Sequence, residues 1–347
     1  IQTAQTTAGN TLFIKDLSQP DSPFIELKTE EHAETRVIES INETLLLFTS
    51  HGAPNGRLVA LRLDQPEPAA WTDIIPEHTS PLRVSTGAGY LFAHYLMDAR
   101  SRLYQYRYTG DLVREIPLPE PGSASLPFGK DTDETVYYTF SNYKQPSTIY
   151  AYNPESGNAR RYFKPDIRFN PDDYETHQVF YSSPDGTQVP MTLTYKKGLK
   201  RDGNNPTLLY GYGGFDISIT PGFSTTTALW LSLGGVYAVP NIRGGGEYGK
   251  NWHIQGTQHQ KQNVFDDFIA AAEYLIDEQY TKADYLAISG RSNGGLLVGA
   301  VMTQRPDLIK VALPGVGVLD MLRYHTFTAG AGWSFDYGRS DDSREMF

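Results

Sequence analysis

Two architectures in series are what this 347-residue sequence predicts: an all-β first half and an α/β second half built on a mostly parallel sheet. Strand-like runs recur through the first half with a period near 45 residues. Beyond residue 165, strands and helices alternate instead. A Gly-x-Ser-x-Gly turn between a predicted strand and a predicted helix then places a candidate nucleophile in the second half.

The repeat is read from four short runs: Thr11-Leu-Phe-Ile-Lys-Asp-Leu17, Arg57-Leu-Val-Ala-Leu-Arg-Leu63, Arg102-Leu-Tyr-Gln-Tyr-Arg107 and Thr148-Ile-Tyr-Ala-Tyr152. Their anchors Leu12, Leu58, Leu103 and Ile149 are separated by 46, 45 and 46 residues. A second strand precedes each of the last three, at 44–49, 90–94 and 135–140. Further extended stretches fill the gaps at 24–27, 71–75 and 112–116. Gly and Pro turns such as Gly52-Ala-Pro-Asn-Gly56 separate them. About four short strands per period of this length is the signature of a β-propeller blade; an antiparallel sandwich with chance regularity is the alternative. Residues 1–7 stand where the strand before Thr11 belongs, so the chain is expected to begin inside a blade and to hold an incomplete array of three and a half repeats.

After Lys164-Pro-Asp166 the pattern changes. Stretches 178–182 and 189–195 flank Pro184-Asp-Gly186 as a hairpin. Strands are then predicted at 207–212, 236–241, 285–289 and 311–314, and helices at 224–233, 264–279 and 294–304. In the long helix, Phe265, Phe268, Ile269, Ala272, Leu275 and Ile276 share one face, with Asn263 as the expected N-cap. Such alternation implies a parallel sheet with helices on its faces. The division is placed at residues 1–165 and 166–347.

Composition permits this reading and excludes others. Apolar residues make up 39% and charged residues 20%, enough core for a folded chain. No unbroken apolar run of about 18 residues marks a membrane-spanning helix. Thirty basic against 40 acidic residues give a net charge of −10, which argues against nucleic acid or an anionic membrane as the main partner. Cysteine is absent, which excludes disulfides, thiolate metal sites and a cysteine nucleophile. No metal or nucleotide motif is seen, so no metal and no cofactor is expected. The chain reads as soluble and monomeric, in the cytoplasm or periplasm. Residues 1–10 lack the regions of a signal peptide, and Ile1 suggests a cut inside a larger protein.

The nucleophile turn is Gly290-Arg-Ser-Asn-Gly294. Alone the pattern is weak, but it follows the strand Tyr-Leu-Ala-Ile-Ser289 and opens a helix rich in small residues, the context the motif requires. The turn must carry Ser292 beyond the sheet end, and glycines on either side allow backbone to approach closely. The Asn293 amide, at a helix N-terminus, then suits a developing oxyanion.

Four segments, Leu209-Tyr-Gly-Tyr-Gly-Gly-Phe-Asp216, Ala238-Val-Pro-Asn-Ile-Arg-Gly-Gly-Gly-Glu-Tyr-Gly249, Gly290-Arg-Ser-Asn-Gly-Gly-Leu-Leu297 and Ala331-Gly-Trp-Ser-Phe-Asp-Tyr-Gly338, resemble the prolyl oligopeptidase family. The resemblance implies a seven-bladed β-propeller joined to an α/β-hydrolase domain, here truncated in both parts. It implies Ser292 as nucleophile, Tyr212 and the Asn293 amide as oxyanion donors, and a proline pocket of Phe215, Val318, Trp333 and Tyr337. A pyrrolidine ring has no side-chain donor or acceptor, so shape and ring stacking must recognise it. The implied partners are short proline-containing peptides, with the propeller restricting their size. Arg291 stands where the family pattern has a second Gly; it is tolerated if its side chain points outward. Arg243, Glu247 and the glycines between them read as a structural loop, open to ion pairing and not catalytic.

A hydrolase triad runs Ser, Asp, His along the chain. After Ser292 the only histidine is His325, with Asp307 and Asp320 between. All three come too soon, and His325 and Asp320 share one local element, so they are rejected; His253 and His259 precede Ser292 and break the order. The triad Asp and His are therefore expected outside these residues, leaving the isolated polypeptide with little or no peptidase activity. Two other readings stay open: a peptidase of the same architecture with a preference for Lys, Arg or blocked N-terminal residues, and an inert propeller-based binding module.

Overall fold

A computed structural model describes residues 1–4, 9–30, 32–41 and 43–343. Its first half is a row of antiparallel sheets, each formed by consecutive strands. The first has three strands, Gln2–Thr3, Thr11–Ile14 and Ile25–Leu27. Residues 5–7 of the expected opening strand lie outside the described residues. Three four-stranded sheets follow, spanning Thr35–Ile41 to Thr72–Ile75, Leu82–Gly87 to Leu112–Ile116, and Ser123–Ala124 to Asn158–Phe163.

The four anchors occupy one structural position. Leu12 pairs with Leu27, Leu58 with Ile75, Leu103 with Ile116 and Ile149 with Phe163, each against the last strand of its sheet. The alternation of side chains along a strand explains how the sheets stack. In Thr44–Thr49, Leu47 packs with Leu12, Val59 and Leu61 on the first sheet's side, whereas Leu46 and Phe48 face Leu82, Val84 and Tyr95 of the third. In Tyr90–Met97, Leu91 and Ala93 look back to the second sheet while Phe92 joins Tyr138, Phe140 and Tyr152 of the fourth. The second and third sheets are thus apolar on both faces and are flanked by neighbours on each side, which is how propeller blades stack.

Residues 164–170 carry neither helix nor strand. Within them Phe169 stacks on Tyr174 at 4.5 Å and meets Phe223 edge-on at 5.8 Å. The six-stranded sheet beyond runs in the order Tyr174–Ser182, Gln188–Lys196, Val236–Pro240, Thr207–Tyr210, Leu286–Arg291, Val311–Gly315. The first two strands form the expected hairpin and pair antiparallel; the remaining four are mutually parallel. Val311 and Leu313 on the terminal strand are 45% and 50% exposed.

The long helix spans Gln262–Asp277 and buries Phe268, Ala272 and Leu275, with Phe265, Ile269 and Ile276 packed at the margin of the cores. Its cap differs from expectation. A 3-10 turn at Gln258–Gln260 runs straight into the helix, so Lys261 takes the cap position in helical geometry. Asn263 lies inside the first turn and donates to the Gln255 carbonyl at 2.8 Å.

The two halves meet through specific polar contacts. Tyr248 donates to Asp98 at 2.8 Å, Gln178 donates to the Asp98 carbonyl at 2.7 Å, and the Phe223 amide donates to Ser141 at 3.1 Å. A cavity of about 720 Å³ lies between them, lined by His32, Arg36 and Asn55 on one side and Asp216, Gly246 and Lys250 on the other. No helix among the described residues is long and apolar enough to cross a membrane.

Candidate active site

Ser292 follows the strand Leu286–Arg291 and precedes the helix Asn293–Gln304, with φ 57° and ψ −118°. A non-glycine residue held there costs on the order of 1–3 kcal/mol, so its surroundings must impose it. The Ser292 amide donates to the Gly315 carbonyl at 2.9 Å, and the Ser292 carbonyl accepts from Gly295 and Leu296 at 2.9 and 3.2 Å. The flanking glycines are required by contact. A Cβ on Gly290 would lie 2.3 Å from the Gly294 carbonyl oxygen, and one on Gly294 would lie 2.5 Å from that of Gly211. The Ser292 side chain is left exposed at the sheet end, as is Arg291.

The predicted strand through residue 212 stops at Tyr210. Tyr212 sits in the turn beyond it. Burial raises its phenol above the ordinary pKa, the nearby Asp336 carboxylate adds to the rise, and a side-chain hydrogen bond with Ser292 opposes it. The phenol therefore stays protonated beside the nucleophile, with a proton to donate to a developing oxyanion. Asn293 is the first residue of its helix, so its amide has no intrahelical acceptor. Its buried side chain donates to the Tyr212 carbonyl at 2.5 Å and accepts from the Tyr337 hydroxyl at 3.1 Å.

Phe215, Val318, Trp333 and Tyr337 fall into one apolar cluster with Leu296, Tyr324 and Met321. Phe215 meets Tyr337 at 5.4 Å and 90°, and Tyr324 lies parallel to Trp333 at 6.4 Å. Phe215 holds φ 58°, another left-handed backbone away from glycine.

Residues that the sequence did not single out lie behind this cluster. Asp336 is fully buried; its Oδ1 accepts from the Phe215 amide at 2.7 Å, and both its oxygens face His253 Nε2 at 3.3 Å. Lys261 donates to the Gly213 carbonyl at 3.1 Å and lies 5.3 Å from the Tyr337 ring centre. Burial pushes the Lys261 ammonium down to about 8 against the opposing pull of Asp336. Asp336 lies inside a quoted motif, but nothing in a single sequence separates it from an ordinary surface acid.

The rejected triad candidates that follow Ser292 are engaged elsewhere, whereas His253 is the histidine against Asp336. Asp320 pairs with Arg323 at 2.5 Å, Asp307 with Arg305 at 2.9 Å, and His325 faces Asp341 at 3.5 Å. Arg243 is ion-paired, with buried Asp267 at 2.6 Å and with Asp185 at 2.5 Å. Glu247 is not its partner: Glu247 Oε1 accepts from the Ile219 amide at 2.7 Å and from Asn241 at 3.1 Å, while Oε2 is buried without a partner. Among the described residues no group of three or more His, Asp or Glu could hold a metal ion.

Fold and site together define a class: a serine on the strand-to-helix turn of an α/β-hydrolase sheet, set beside β-propeller blades. The prolyl oligopeptidase family model matches residues 221–347, and the model of the prolyl oligopeptidase N-terminal β-propeller domain matches residues 1–165. The chain belongs to the prolyl oligopeptidase family. It is 55% identical to a prolyl endopeptidase of Elizabethkingia meningoseptica over 347 residues, 100% of this chain and 49% of that protein. It is 42% identical to a prolyl endopeptidase of Dictyostelium discoideum over 309 residues, 85% of this chain and 40% of the other. Among solved structures, one from a study of two prolyl endopeptidases superposes with a TM-score of 0.94 at 42% identity, covering 99% of this chain and 51% of the other. Prolyl oligopeptidase B from Galerina marginata, bound to a 35mer hydrolysis and macrocyclization substrate, superposes with a TM-score of 0.91 at 32% identity, covering 97% and 49%. The chain spans about half the length of the curated relatives it matches.

Proposed function

We propose that this chain carries the nucleophile, oxyanion donors and proline pocket of a serine endopeptidase that hydrolyses short peptides on the carboxyl side of proline. The observation that carries the reading is one juxtaposition. Ser292, held at φ 57° with the Tyr212 phenol beside it, stands next to the cluster of Phe215, Val318, Trp333 and Tyr337.

In the proposed reaction Ser292 Oγ attacks the carbonyl carbon of the proline residue and gives its proton to a base. The carbonyl oxygen becomes an oxyanion that accepts from the Tyr212 hydroxyl and the Asn293 amide. Collapse expels the amine, which takes up the proton, and leaves an acyl-enzyme that water hydrolyses. The base and its carboxylate partner are assigned to the part of the relatives' length that this chain does not span. Recognition of proline rests on the apolar walls. Asp336, the buried acid behind them, is taken up by the Phe215 amide and His253, so the pocket offers it to no Lys or Arg side chain.

Residues 1–165 are assigned to the propeller and 166–347 to the hydrolase domain. The contacts at Asp98 and Ser141, and His32 against Phe335 at 5.1 Å, support a propeller seated over the site as a size filter. The enzyme is assigned as a soluble monomer. The test uses a polypeptide of the relatives' full length carrying this sequence. A fluorophosphonate should label Ser292 and neither Ser289 nor Ser334, and mass analysis of digested short peptides should place the cuts after proline. Label on another serine, or cuts indifferent to proline, sinks the reading.

A further inference from the structure

The turn from Tyr212 to Asp216 is strained and carries both functions of the proposed site. Gly213, Phe215 and Asp216 hold φ values of 63°, 58° and 58°. For residues with a Cβ this conformation costs roughly 1–2 kcal/mol each, so the turn needs restraint. The hydroxyl of Tyr212 at one end and the ring of Phe215 at the other depend on it. Three buried side chains supply that restraint from beneath: Asn293 to the Tyr212 carbonyl, Lys261 to the Gly213 carbonyl and Asp336 to the Phe215 amide.

Asp336 has a further property. It lies on the short helix Ser334–Tyr337, which also carries Tyr337 and directly follows Trp333. Its carboxylate therefore ties the indole side of the pocket to the turn that bears the phenol. His253 Nε2, 3.3 Å from both oxygens, and the Lys261 ammonium are the positive or polar groups facing it in the interior. A fully buried carboxyl must be paired or hydrogen-bonded to persist, and here its bond to the Phe215 amide fixes a piece of the site.

We propose that Asp336 is a positioning residue for the reaction: through its bond to the Phe215 amide it holds the Tyr212 hydroxyl in register with the pocket walls, with Lys261 as its second clamp on the same turn. This rests on the role of Tyr212 given under the proposed function. Misplacing a catalytic group by about 1 Å can cost on the order of 10²-fold, so a residue touching no substrate atom can still govern kcat.

The experiment is a double-mutant cycle in the polypeptide of the relatives' full length, with active sites counted by fluorophosphonate titration. Asp336→Ala should lower kcat per active site by at least about tenfold, up to the roughly 10²–10³-fold that a lost oxyanion donor costs, and should also erode the preference for proline over alanine. In a Tyr212→Phe background the same change should cost about threefold or less, because its effect passes through the missing hydroxyl. Asp336→Asn keeps an acceptor for the Phe215 amide and should restore most of the rate. Full additivity in the cycle, an Asn variant as slow as the Ala variant, or a loss confined to melting temperature overturns the inference. Tyr212→Phe with wild-type kcat overturns the oxyanion role as well; a slow Tyr212→Phe with full additivity overturns the positioning role alone. Should Asp336→Ala fail to fold, Lys261→Met keeps the buried stem while removing the bond to Gly213. It should lose several-fold in kcat and nothing further in the Tyr212→Phe background; unchanged kcat in that variant overturns the proposal.

Discussion

The Tyr337 hydroxyl donates to Asn293 Oδ1 at 3.1 Å, so the ring that walls the apolar cluster also fixes the residue whose amide follows the nucleophile. Tyr337→Phe keeps the wall and removes the bond. The Asn293 oxygen would be left buried and unpaired, at a cost of about 1–3 kcal/mol. The expected result is a lower melting temperature together with a lower kcat/KM. A variant with unchanged melting temperature and kinetics would show that Asn293 is held by Tyr212 alone.

Tyr212→Phe isolates the phenol. Losing one oxyanion donor should lower kcat by about 10²–10³-fold, roughly 2.7–4 kcal/mol. KM should change little, because the bond strengthens in the transition state. Steady-state kinetics on a proline substrate decides it; a kcat equal to wild type assigns Tyr212 to packing.

Trp333→Ala addresses specificity. Aromatic stacking beyond area burial is worth about 0.5–1.5 kcal/mol. The ratio of kcat/KM for proline over alanine substrates should therefore fall by about two-fold to about tenfold. Equal losses on both substrates would leave Trp333 with a structural role alone.

Glu247 predicts a pH dependence of stability. Burial pushes its carboxyl from the ordinary 4.5 up to about 7, against the bonds from Ile219 and Asn241. Between those values the folded state holds a proton that the unfolded state has released. Stability from this group is therefore fully present below about 4.5 and is lost as pH rises through about 7. The magnitude is on the order of 3 kcal/mol. Melting curves across this range should show that the difference between wild type and Glu247→Gln changes with pH and flattens above neutrality. A constant difference would mean that Glu247 remains ionised throughout.

The repeat was legible because the anchors Leu12, Leu58 and Leu103 each pack a side chain between neighbouring sheets, which imposes apolar residues at a fixed interval; Ile149, on the last of the four sheets, keeps the position while only half-buried. Strand Asn158–Phe163 left no such trace: all six residues are exposed, so neither face selects apolar side chains. Ser292 was legible because a strained turn demands its glycines. Phe215, Val318, Trp333 and Tyr337 were reached through motif resemblance, and the fold brings them into one cluster. Asp336, His253 and Lys261 were not found, since what makes them notable is burial beside one another, 75 and 83 residues apart from Asp336 in the chain. The Asn263 cap failed because a preceding 3-10 turn supplied the helix start without a side-chain oxygen.

The six-stranded sheet stops at Val311–Gly315, whose outer backbone edge lies beside exposed Val311 and Leu313. Nearby Val316, Leu319 and Leu322 are also exposed, at 72%, 57% and 49%. An open edge with apolar neighbours is a template for further strand pairing. A polypeptide of these 347 residues is therefore expected to self-associate: light scattering should rise with its concentration, and it should bind dyes that report greasy surface. Leu313→Lys would place a charge on that strip and should lower the scattering without disturbing the blades; scattering unchanged in that variant would move the contact to other exposed apolar residues, such as Phe128, Tyr162 and Phe163 of the last blade sheet.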